Sequence, residues 1–268
     1  MKRLGNDEIK AIQLQILEVF VAFCEKENLR YSLYFGSLLG AVRHMGYIPW
    51  DDDIDVMMPR PDYDKFLQTF KYSSDLYYLR SNILDEDYPY IFAKLAYNKS
   101  KLVEFSSLPY DIGINIDIFP IDGVPEKTKP YRRFYRSLKI LHSILLVQSV
   151  KLNFKDRKFH KNVILIFLKF IVSIFPYQKI IKLIDKRLRK NSFEESKYAM
   201  ASCFPGVKRH HRLKKAVFEE LIYLTFESKK VKSLKHYDEF LKSQYGDYMK
   251  IPPENERNTH HSYEAYLV

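Results

Sequence analysis

Cysteine is scarce in this chain of 268 residues, which contains two, Cys24 and Cys203. Neither belongs to a Cys-x-x-Cys pair, so neither a disulfide framework nor a cysteine zinc site organises the fold. Internal repeats and low-complexity segments are also lacking. These absences predict an ordinary globular protein whose chemistry depends on residues other than cysteine.

The first 13 residues lack the apolar core of a signal peptide. Together with the scarcity of cysteine, this predicts a reducing, cytoplasmic location. Hydrophobic residues make up 46% of the chain and aromatic residues 15%, which suffices for a large core and argues against disorder.

Acidic residues are rare in the middle of the chain. Residues 126–190 contain 18 Lys and Arg but 3 Asp and Glu, a net charge of +15. Residues 1–125 contain 13 basic and 19 acidic residues, a net charge of −6. The basic segment therefore predicts attraction to an anionic partner: a membrane surface, a nucleic acid or a phosphorylated acceptor.

The longest apolar run, residues 163–175, is shorter than the roughly 20 residues that span a bilayer, and Lys169 interrupts it. Because it is apolar on all sides, it predicts a buried core helix. The alternative is an interfacial helix, since basic residues precede and follow the run and would suit an anionic membrane surface.

Four aspartates, Asp51, Asp52, Asp53 and Asp55, stand directly before the apolar run 56–58. In an extended strand, Asp51, Asp53 and Asp55 share one face and Asp52 points to the other. Three carboxylates on one face repel one another unless a cation neutralises them, and Mg²⁺ or Mn²⁺ suits such ligands. The alternative is a solvated acidic turn without a metal.

A Gly36-Ser37 turn precedes the acidic stretch and a predicted helix over residues 38–44. Backbone N–H groups of such a turn can approach a phosphate closely. Farther along, Asp117 lies in an alternating apolar strand, where an isolated carboxylate is costly unless it is paired or bound to metal. These features together indicate a metal and phosphate site.

These motifs resemble the LicD family of phosphocholine transferases, in the nucleotidyltransferase superfamily and related to fukutin-related proteins. The resemblance rests on residues 36–44 (GSLLGAVRH), 48–55 (IPWDDDID), 115–123 (NIDIFPIDG), 245–249 (YGDYM) and the prolines at 252–253. It spans most of the chain but is poorest over residues 126–200. The first motif is highly specific and the carboxyl-terminal one moderately so.

The resemblance implies transfer of phosphocholine from CDP-choline to a sugar hydroxyl of a cell-surface glycan precursor, of the teichoic acid or lipopolysaccharide type, with release of CMP. Asp53, Asp55 and Asp117 would be catalytic, and with Asp51 they would hold Mg²⁺ or Mn²⁺. The acceptor is expected to be lipid-linked, with peripheral contact with the inner face of the cell membrane, and no nucleic-acid partner is expected.

Other residues near the motifs are candidates for substrate binding. Gly36 and Ser37 would hold phosphate oxygens through the backbone and the hydroxyl. Six further residues have positive or polar side chains that could contact the phosphates, the leaving CMP or the acceptor. The further candidates are Arg43, His44, Lys94, Tyr248, Arg257 and His260.

Rival functions share parts of this pattern. A metal-dependent glycosyltransferase also uses an Asp-x-Asp motif, but the Gly36-Ser37 turn and the later Asp117 favour the nucleotidyltransferase pattern. A nucleotidyltransferase with another donor would release pyrophosphate instead of CMP. A non-catalytic binding protein would have no reason to keep three costly carboxylates.

The sequence predicts an α+β fold with a nucleotidyltransferase-like mixed sheet, flanking helices and a mainly helical carboxyl-terminal part. We divide it into a catalytic core, residues 1–125, and a basic region, residues 126–268, that packs on the core. Asp7 is predicted to cap a first helix that reaches Asn28, and residues 53–58 are a predicted strand. A last helix is predicted over residues 232–245, ended by Gly246.

Overall fold

The computed structural model describes residues 1–70, 75–104, 110–150, 152, 158–201, 212–257 and 263–268. The helices are α1 (Asn6–Lys26), α2 (Phe35–His44), α3 (Arg60–Phe70), α4 (Thr128–Ser149), α5 (Phe159–Val172), α6 (Tyr177–Leu188), α7 (Ala216–Glu219), α8 (Tyr237–Tyr245) and a 3₁₀ helix (Glu254–Glu256). The first strands are β1 (Lys2–Arg3), β2 (Ser32–Leu33), β3 (Asp55–Pro59), β4 (Tyr77–Arg80), β5 (Ala93–Tyr97) and β6 (Ser100–Glu104). The later strands are β7 (Asn115–Val124), β8 (Tyr198–Met200), β9 (Leu213–Lys214), β10 (Leu221–Phe226), β11 (Lys229–Leu234) and β12 (Tyr263–Leu267).

A mixed sheet of order β2-β3-β7-β5-β4 forms the centre of the protein, and β8 and β9 extend it from β7. β3 and β7 are parallel, whereas the other pairs are antiparallel. Every residue of β3 is buried, as expected for a strand that is covered on both faces. The predicted α+β class with a mixed sheet and flanking helices is confirmed.

Helix α1 covers the sheet through apolar residues at helical spacing, including Ile9, Ile16 and Phe20. It begins one residue before Asp7, so the predicted Asp7 cap is wrong. Gly5 occupies the N-cap position, and its N–H donates to Glu8 Oε2 at 2.9 Å. Asp7 lies instead in the first turn, where a negative charge favours the positive end of the helix.

The predicted last helix is wrong over its first part. Residues 229–234 form strand β11, which pairs with β10 in a hairpin, and α8 begins at Tyr237. The buried side chains of Val231 and Ser233 alternate with partly or fully exposed lysines, a period of two that fits a strand. Gly246 follows the helix with φ of +73°, as predicted for a C-cap glycine.

The β10–β11 hairpin fixes the loop that leads into the acidic stretch. At its tip, Glu227 accepts the Tyr47 N–H at 3.0 Å and donates its own N–H to the Met45 carbonyl at 2.7 Å. A Cβ on Gly46 would clash with the Glu227 carboxylate, so a larger residue would displace this side chain from its hydrogen bond to Tyr47. The hairpin thereby positions residues 45–47 ahead of the aspartates.

The prediction that residues 163–175 form a buried core helix is wrong. Most of α5 is exposed, and it packs against α4, whereas α4 and α6 pack against each other and contribute their buried apolar residues to the core. None of the helices in the described part of the chain combines the length and the apolar content that crossing a bilayer requires. Helices α5 and α6 meet that test only as a pair, and the chain bends by 75° between them.

An ion pair in the interior joins three elements. Arg60, at the start of α3, donates two hydrogen bonds of 2.7 Å to Asp122 on β7, and Asp185 on α6 lies 3.6 Å from the same guanidinium. The Asp122 side chain is 1% exposed. Because both charges are removed from water, each needs the other.

We predict that Asp122→Asn lowers the free energy of unfolding by about 3–5 kcal/mol, since it leaves the Arg60 charge buried without its main partner. Asp64→Asn is the matched control, because Asp64 forms a bidentate pair with Arg189 at a half-exposed site. Its loss should be about 1 kcal/mol or less. Urea unfolding followed by circular dichroism measures both, and equal losses would contradict the assignment.

Candidate active site

The parallel pairing of β3 and β7 places Asp55 directly opposite Asp117. The Asp55 N–H donates to Ser37 Oγ at 2.9 Å, and the Asp117 N–H donates to the Ile54 carbonyl at 2.9 Å. Gly36 and Ser37 lie in the first turn of α2, which begins at Phe35, three residues earlier than predicted. Two aspartates that are distant in sequence are thus register partners at the start of β3, next to a helix N-terminus.

Asp51, Asp52 and Asp53 precede the strand and are not part of it, so the predicted alternation of faces is wrong for them. Each offers a carboxylate oxygen, and these oxygens lie within 4.8 Å of one another. Asp52, predicted to point away, therefore belongs to the same cluster. Such spacing matches oxygen ligands that converge on one cation.

Two distant segments hold the backbone of the acidic loop. The Asp52 carbonyl accepts hydrogen bonds from Gln13 Nε2 of α1 at 2.9 Å and from the Tyr263 hydroxyl of β12 at 3.0 Å. A Cβ on Gly36 would lie 2.4 Å from Asp51 Oδ2, so glycine there leaves room for the carboxylate. The loop conformation is thus set by tertiary contacts.

Burial raises the pKa of Asp55 well above its ordinary range, and the negative charges of Asp53, Asp117 and Asp51 raise it further, whereas Lys94 lowers it. Both causes disfavour the ionised carboxylate in the folded protein. A divalent cation would offset both causes, because it supplies positive charge and oxygen coordination at the same point. The donor set and its electrostatics fit Mg²⁺ or Mn²⁺.

Lys94, on β5, is buried and is not the surface side chain that a lone lysine suggests. Its Nζ donates to Asp117 Oδ1 at 2.6 Å and to Asn115 Oδ1 at 3.0 Å. Asn115 and Asp117 are two residues apart on one face of β7, as the sequence predicts. Lys94 therefore favours the ionised form of Asp117 and fixes one of its oxygens, and its predicted phosphate contact stays a prediction.

Two cavities open on the two sides of Asp53. The larger has a volume of about 470 Å³ and contains Asp51, Asp53 and Asp55. The smaller, of about 30 Å³, contains Asp52, Asp53 and Asp117. The remaining lining of the larger cavity is Phe35, Gly36, Leu39, Arg43, Ile48, Trp50, Tyr245, Asp247, Tyr248, Lys250, Pro252 and Glu256.

Trp50 forms one wall of the larger cavity between two cations. The Arg43 guanidinium lies 6.0 Å from its ring centroid and that of Arg257 lies 5.2 Å from it. Arg257 also donates to the Pro252 carbonyl at 2.8 Å. Arg257 therefore lies beside the Trp50 wall of this cavity, and its predicted part in substrate binding stays a prediction.

Arg43 links α2 to the carboxyl-terminal segment. Its Nη1 donates to the Tyr248 carbonyl at 2.8 Å and to the Lys250 carbonyl at 3.4 Å. Its Nε donates to His44 Nε2 at 2.9 Å. Desolvation and the Arg43 charge lower the pKa of His44, so its imidazole is neutral at pH 7 and suits this acceptor role.

Tyr248 lines the larger cavity, but its hydroxyl donates to Asp238 at 3.0 Å. His260 and Cys203 lie outside the described residues. Sequence reasoning missed the contributions of Gln13, Tyr245 and Tyr263, because single residues outside the acidic motifs gave no spacing signal. Tyr245 is 44% exposed, but desolvation of its hydroxyl and then the negative charges of Asp55, Asp51 and Asp53 raise its pKa. Its motif in the sequence was the available clue.

Comparison with known proteins identifies the family of this chain. The nucleotidyltransferase domain model described as LicD/FKTN/FKRP matches residues 28–160, which include the acidic stretch 51–55 and Asp117. The lipopolysaccharide cholinephosphotransferase LicD of Haemophilus influenzae is 31% identical over 278 aligned positions that cover the whole of both chains. The chain belongs to the LicD family.

The resemblance noted from the motifs is thereby confirmed. An uncharacterised protein of Rickettsia typhi is 41% identical over 69 residues, which cover 25% of this chain and 22% of that protein. One of Rickettsia prowazekii is 43% identical over 54 residues, 20% of each chain. These shorter matches carry no functional information for the LicD-family chain.

We predict that Asp55→Asn raises the free energy of unfolding of the metal-free protein at pH 8. The folded-state pKa of Asp55 is raised above its unfolded value, so ionised Asp55 destabilises the fold above the folded pKa. Each unit of elevation corresponds to about 1.4 kcal/mol. This cost disappears as the pH falls to about 4, the ordinary aspartate value, where the variant and the wild type should converge.

Urea unfolding in EDTA at pH 8 and pH 4 measures the difference. Asp87→Asn, at a side chain that is 88% exposed, should leave stability unchanged at both values. A loss of stability in Asp55→Asn at pH 8 would show that the Asp55 carboxylate stabilises the metal-free fold, contrary to this account.

Proposed function

We propose that this LicD-family protein transfers phosphocholine from CDP-choline to a sugar hydroxyl of a cell-surface glycan precursor and releases CMP. The full-length match to the cholinephosphotransferase LicD of Haemophilus influenzae carries the proposal. The site geometry supports it, because a carboxylate cluster adjoins a cavity large enough for a nucleotide.

Asp51, Asp53, Asp55 and Asp117 are the proposed ligands of Mg²⁺ or Mn²⁺, and the clustered carboxylate of Asp52 adds a further candidate. The cation, when bound, supplies charge neutralisation for the diphosphate and a template for the attacking and leaving oxygens. The chain supplies the fixed geometry: Ser37 anchors Asp55, and Lys94 anchors Asp117.

The acceptor hydroxyl oxygen attacks the phosphorus that bears choline. The bond from this phosphorus to the bridging oxygen breaks, and CMP leaves with that oxygen and its electron pair. Asp117 takes the proton of the acceptor hydroxyl, a role that requires the ionised form favoured by Lys94. The smaller cavity beside Asp117 marks the side from which we propose that the acceptor approaches.

The larger cavity is the proposed donor site. Gly36 and Ser37 would hold phosphate oxygens at the N-terminus of α2, and Arg43 would add positive charge. The aromatic face of Tyr245, which lines the same cavity as the carboxylates, is a suitable neighbour for the quaternary ammonium of choline. Tyr248, Arg257 and His260 keep their proposed parts in substrate binding.

The proposed acceptor is a lipid-linked precursor of the lipopolysaccharide or teichoic acid type, modified in the cytoplasm at the inner face of the cell membrane. The net charge of +15 over residues 126–190 supports this location, because it would draw the enzyme towards anionic lipids or a phosphorylated carrier.

The second candidate function is that of a nucleotidyltransferase with another donor. The pattern of Asp53, Asp55 and Asp117, which both kinds of enzyme share, favours it.

We predict that the purified protein with Mg²⁺ forms CMP from CDP-choline when a glycan acceptor is present. The assay measures CMP and phosphocholine-modified glycan by mass spectrometry. Parallel reactions with nucleoside triphosphates and sugar nucleotides test the alternatives. Pyrophosphate release, or transfer of a sugar instead of phosphocholine, would overturn the proposed donor.

We predict that Asp53→Asn and Asp117→Asn both retain the fold but lose turnover. For Asp117→Asn, kcat should fall about 10²–10⁴-fold with little change in the KM for CDP-choline, as expected for a proton acceptor. Asp53→Asn should also weaken Mn²⁺ binding, measured by electron paramagnetic resonance. Asp111→Asn, at a side chain that is 88% exposed, is the control and should retain activity. Wild-type turnover in Asp53→Asn would contradict the metal assignment.

A further inference from the structure

Helix α5 presents an apolar surface to solvent. Ten large apolar side chains between residues 159 and 175 are each at least 39% exposed. The most exposed are Phe159, Phe167, Phe170 and Ile174, at 64–77%. Such a concentration exceeds the scattered apolar residues of an ordinary surface and marks a contact site.

The exposure belongs to a helix that is fixed in place. Asn162, Leu165 and Val172 form a buried stripe that faces α4. At the far end, Lys169 Nζ donates to the Gln148 carbonyl at 2.7 Å, and Gln148 Nε2 donates to the Val172 and Phe175 carbonyls. One side of α5 is thus attached to the protein, and the apolar side chains occupy the others.

Exposed cations border this apolar surface. Lys158 and Lys161 lie at the start of α5, and Lys179, Lys182 and Lys186 lie on the exposed face of α6. Between α4 and α5 is a groove of about 350 Å³, in which Arg136 and Lys139 stand beside the apolar Ile140 and Val172. Apolar side chains next to cations match acyl chains next to anionic headgroups.

We infer that α5 lies in the plane of an anionic lipid bilayer, with its exposed apolar side chains among the acyl chains and the basic residues at the headgroups. A helix of 14 residues is about 21 Å long, shorter than the hydrocarbon core of about 30 Å, so it lies in the interface instead of crossing it.

A second copy of this chain is a poorer occupant of the same surface. Pairing two α5 faces would bring together two segments that each carry a net charge of +15. Their mutual repulsion opposes association, whereas anionic lipids neutralise the same charges. Membrane docking of α5 is a property of this surface and does not depend on which group the active site transfers.

The test is flotation of the full-length protein with vesicles, in the absence of nucleotide. Vesicles of phosphatidylglycerol and phosphatidylethanolamine should bind the protein, and pure phosphatidylcholine vesicles should bind it at least about tenfold more weakly. The double variant Phe167→Glu and Phe170→Glu should weaken binding to the anionic vesicles by about tenfold or more, because it removes two apolar anchors and adds negative charge. Ile83→Glu, at an exposed apolar residue outside this surface, is the matched control and should bind as the wild type does.

The variant Lys158→Gln with Lys161→Gln tests the charge separately and should bind less strongly than the wild type at low salt. Wild-type protein that fails to bind anionic vesicles would overturn the inference, as would equal binding by the Phe167 and Phe170 variant. Light scattering without lipid tests whether a second copy of the chain occupies this surface. A dimer that the Phe167 and Phe170 variant dissociates would assign the surface to self-association instead. Transfer to a soluble acceptor should be unchanged in all of these variants, so failure of docking is distinguishable from failure of the transfer reaction.

Discussion

Repulsion among carboxylates that the fold forces together is the constraint on which the site depends. The parallel pairing of β3 with β7 sets Asp55 opposite Asp117, and the acidic loop adds three more carboxylates nearby. A metal-free cluster of this kind opposes folding, so the rest of the structure must hold it. The buried ion pair of Arg60 with Asp122 ties α3 to β7, and the close-packed hairpin against Gly46 fixes the loop ahead of the aspartates. These contacts restrain the negative charges at the place where we propose that a divalent cation binds.

The division of the site by Asp53 gives its two sides different environments. The larger cavity, the proposed donor site, combines carboxylates with aromatic walls and the cations around Trp50. The other side is small and polar, with Lys94 held between Asn115 and Asp117. A group-transfer enzyme needs this separation, because the leaving and attacking oxygens approach the same phosphorus from opposite directions. The basic region on α4 and α6 and the apolar α5 would then set where the acceptor side meets its substrate.

Several features were predictable because they arise from neighbours in sequence. The spacing of apolar residues predicted α1, the apolar run at 56–58 belonged to a predicted strand, and the alternation around Asp117 predicted its strand. Other predictions failed where a distant segment decides the outcome. Residues 232–234 look helical in isolation but pair with β10, and Asp52 joins the cluster because Gln13 and Tyr263 hold its backbone. The run at 163–175 looks like core by composition, yet the core is already covered by α4 and α6.

The sequence by itself determined the family, the α+β class and the chemical groups available: clustered aspartates, a Gly36-Ser37 turn and a segregated basic segment. Tertiary structure alone decided that Lys94 pairs with Asp117, that Arg257 reaches Trp50, and that α5 faces outward. The reason is physical. Local periodicity specifies which face of a helix or strand is apolar or charged. The element that covers this face comes from elsewhere in the chain, so the energy of the contact cannot be inferred from the local pattern.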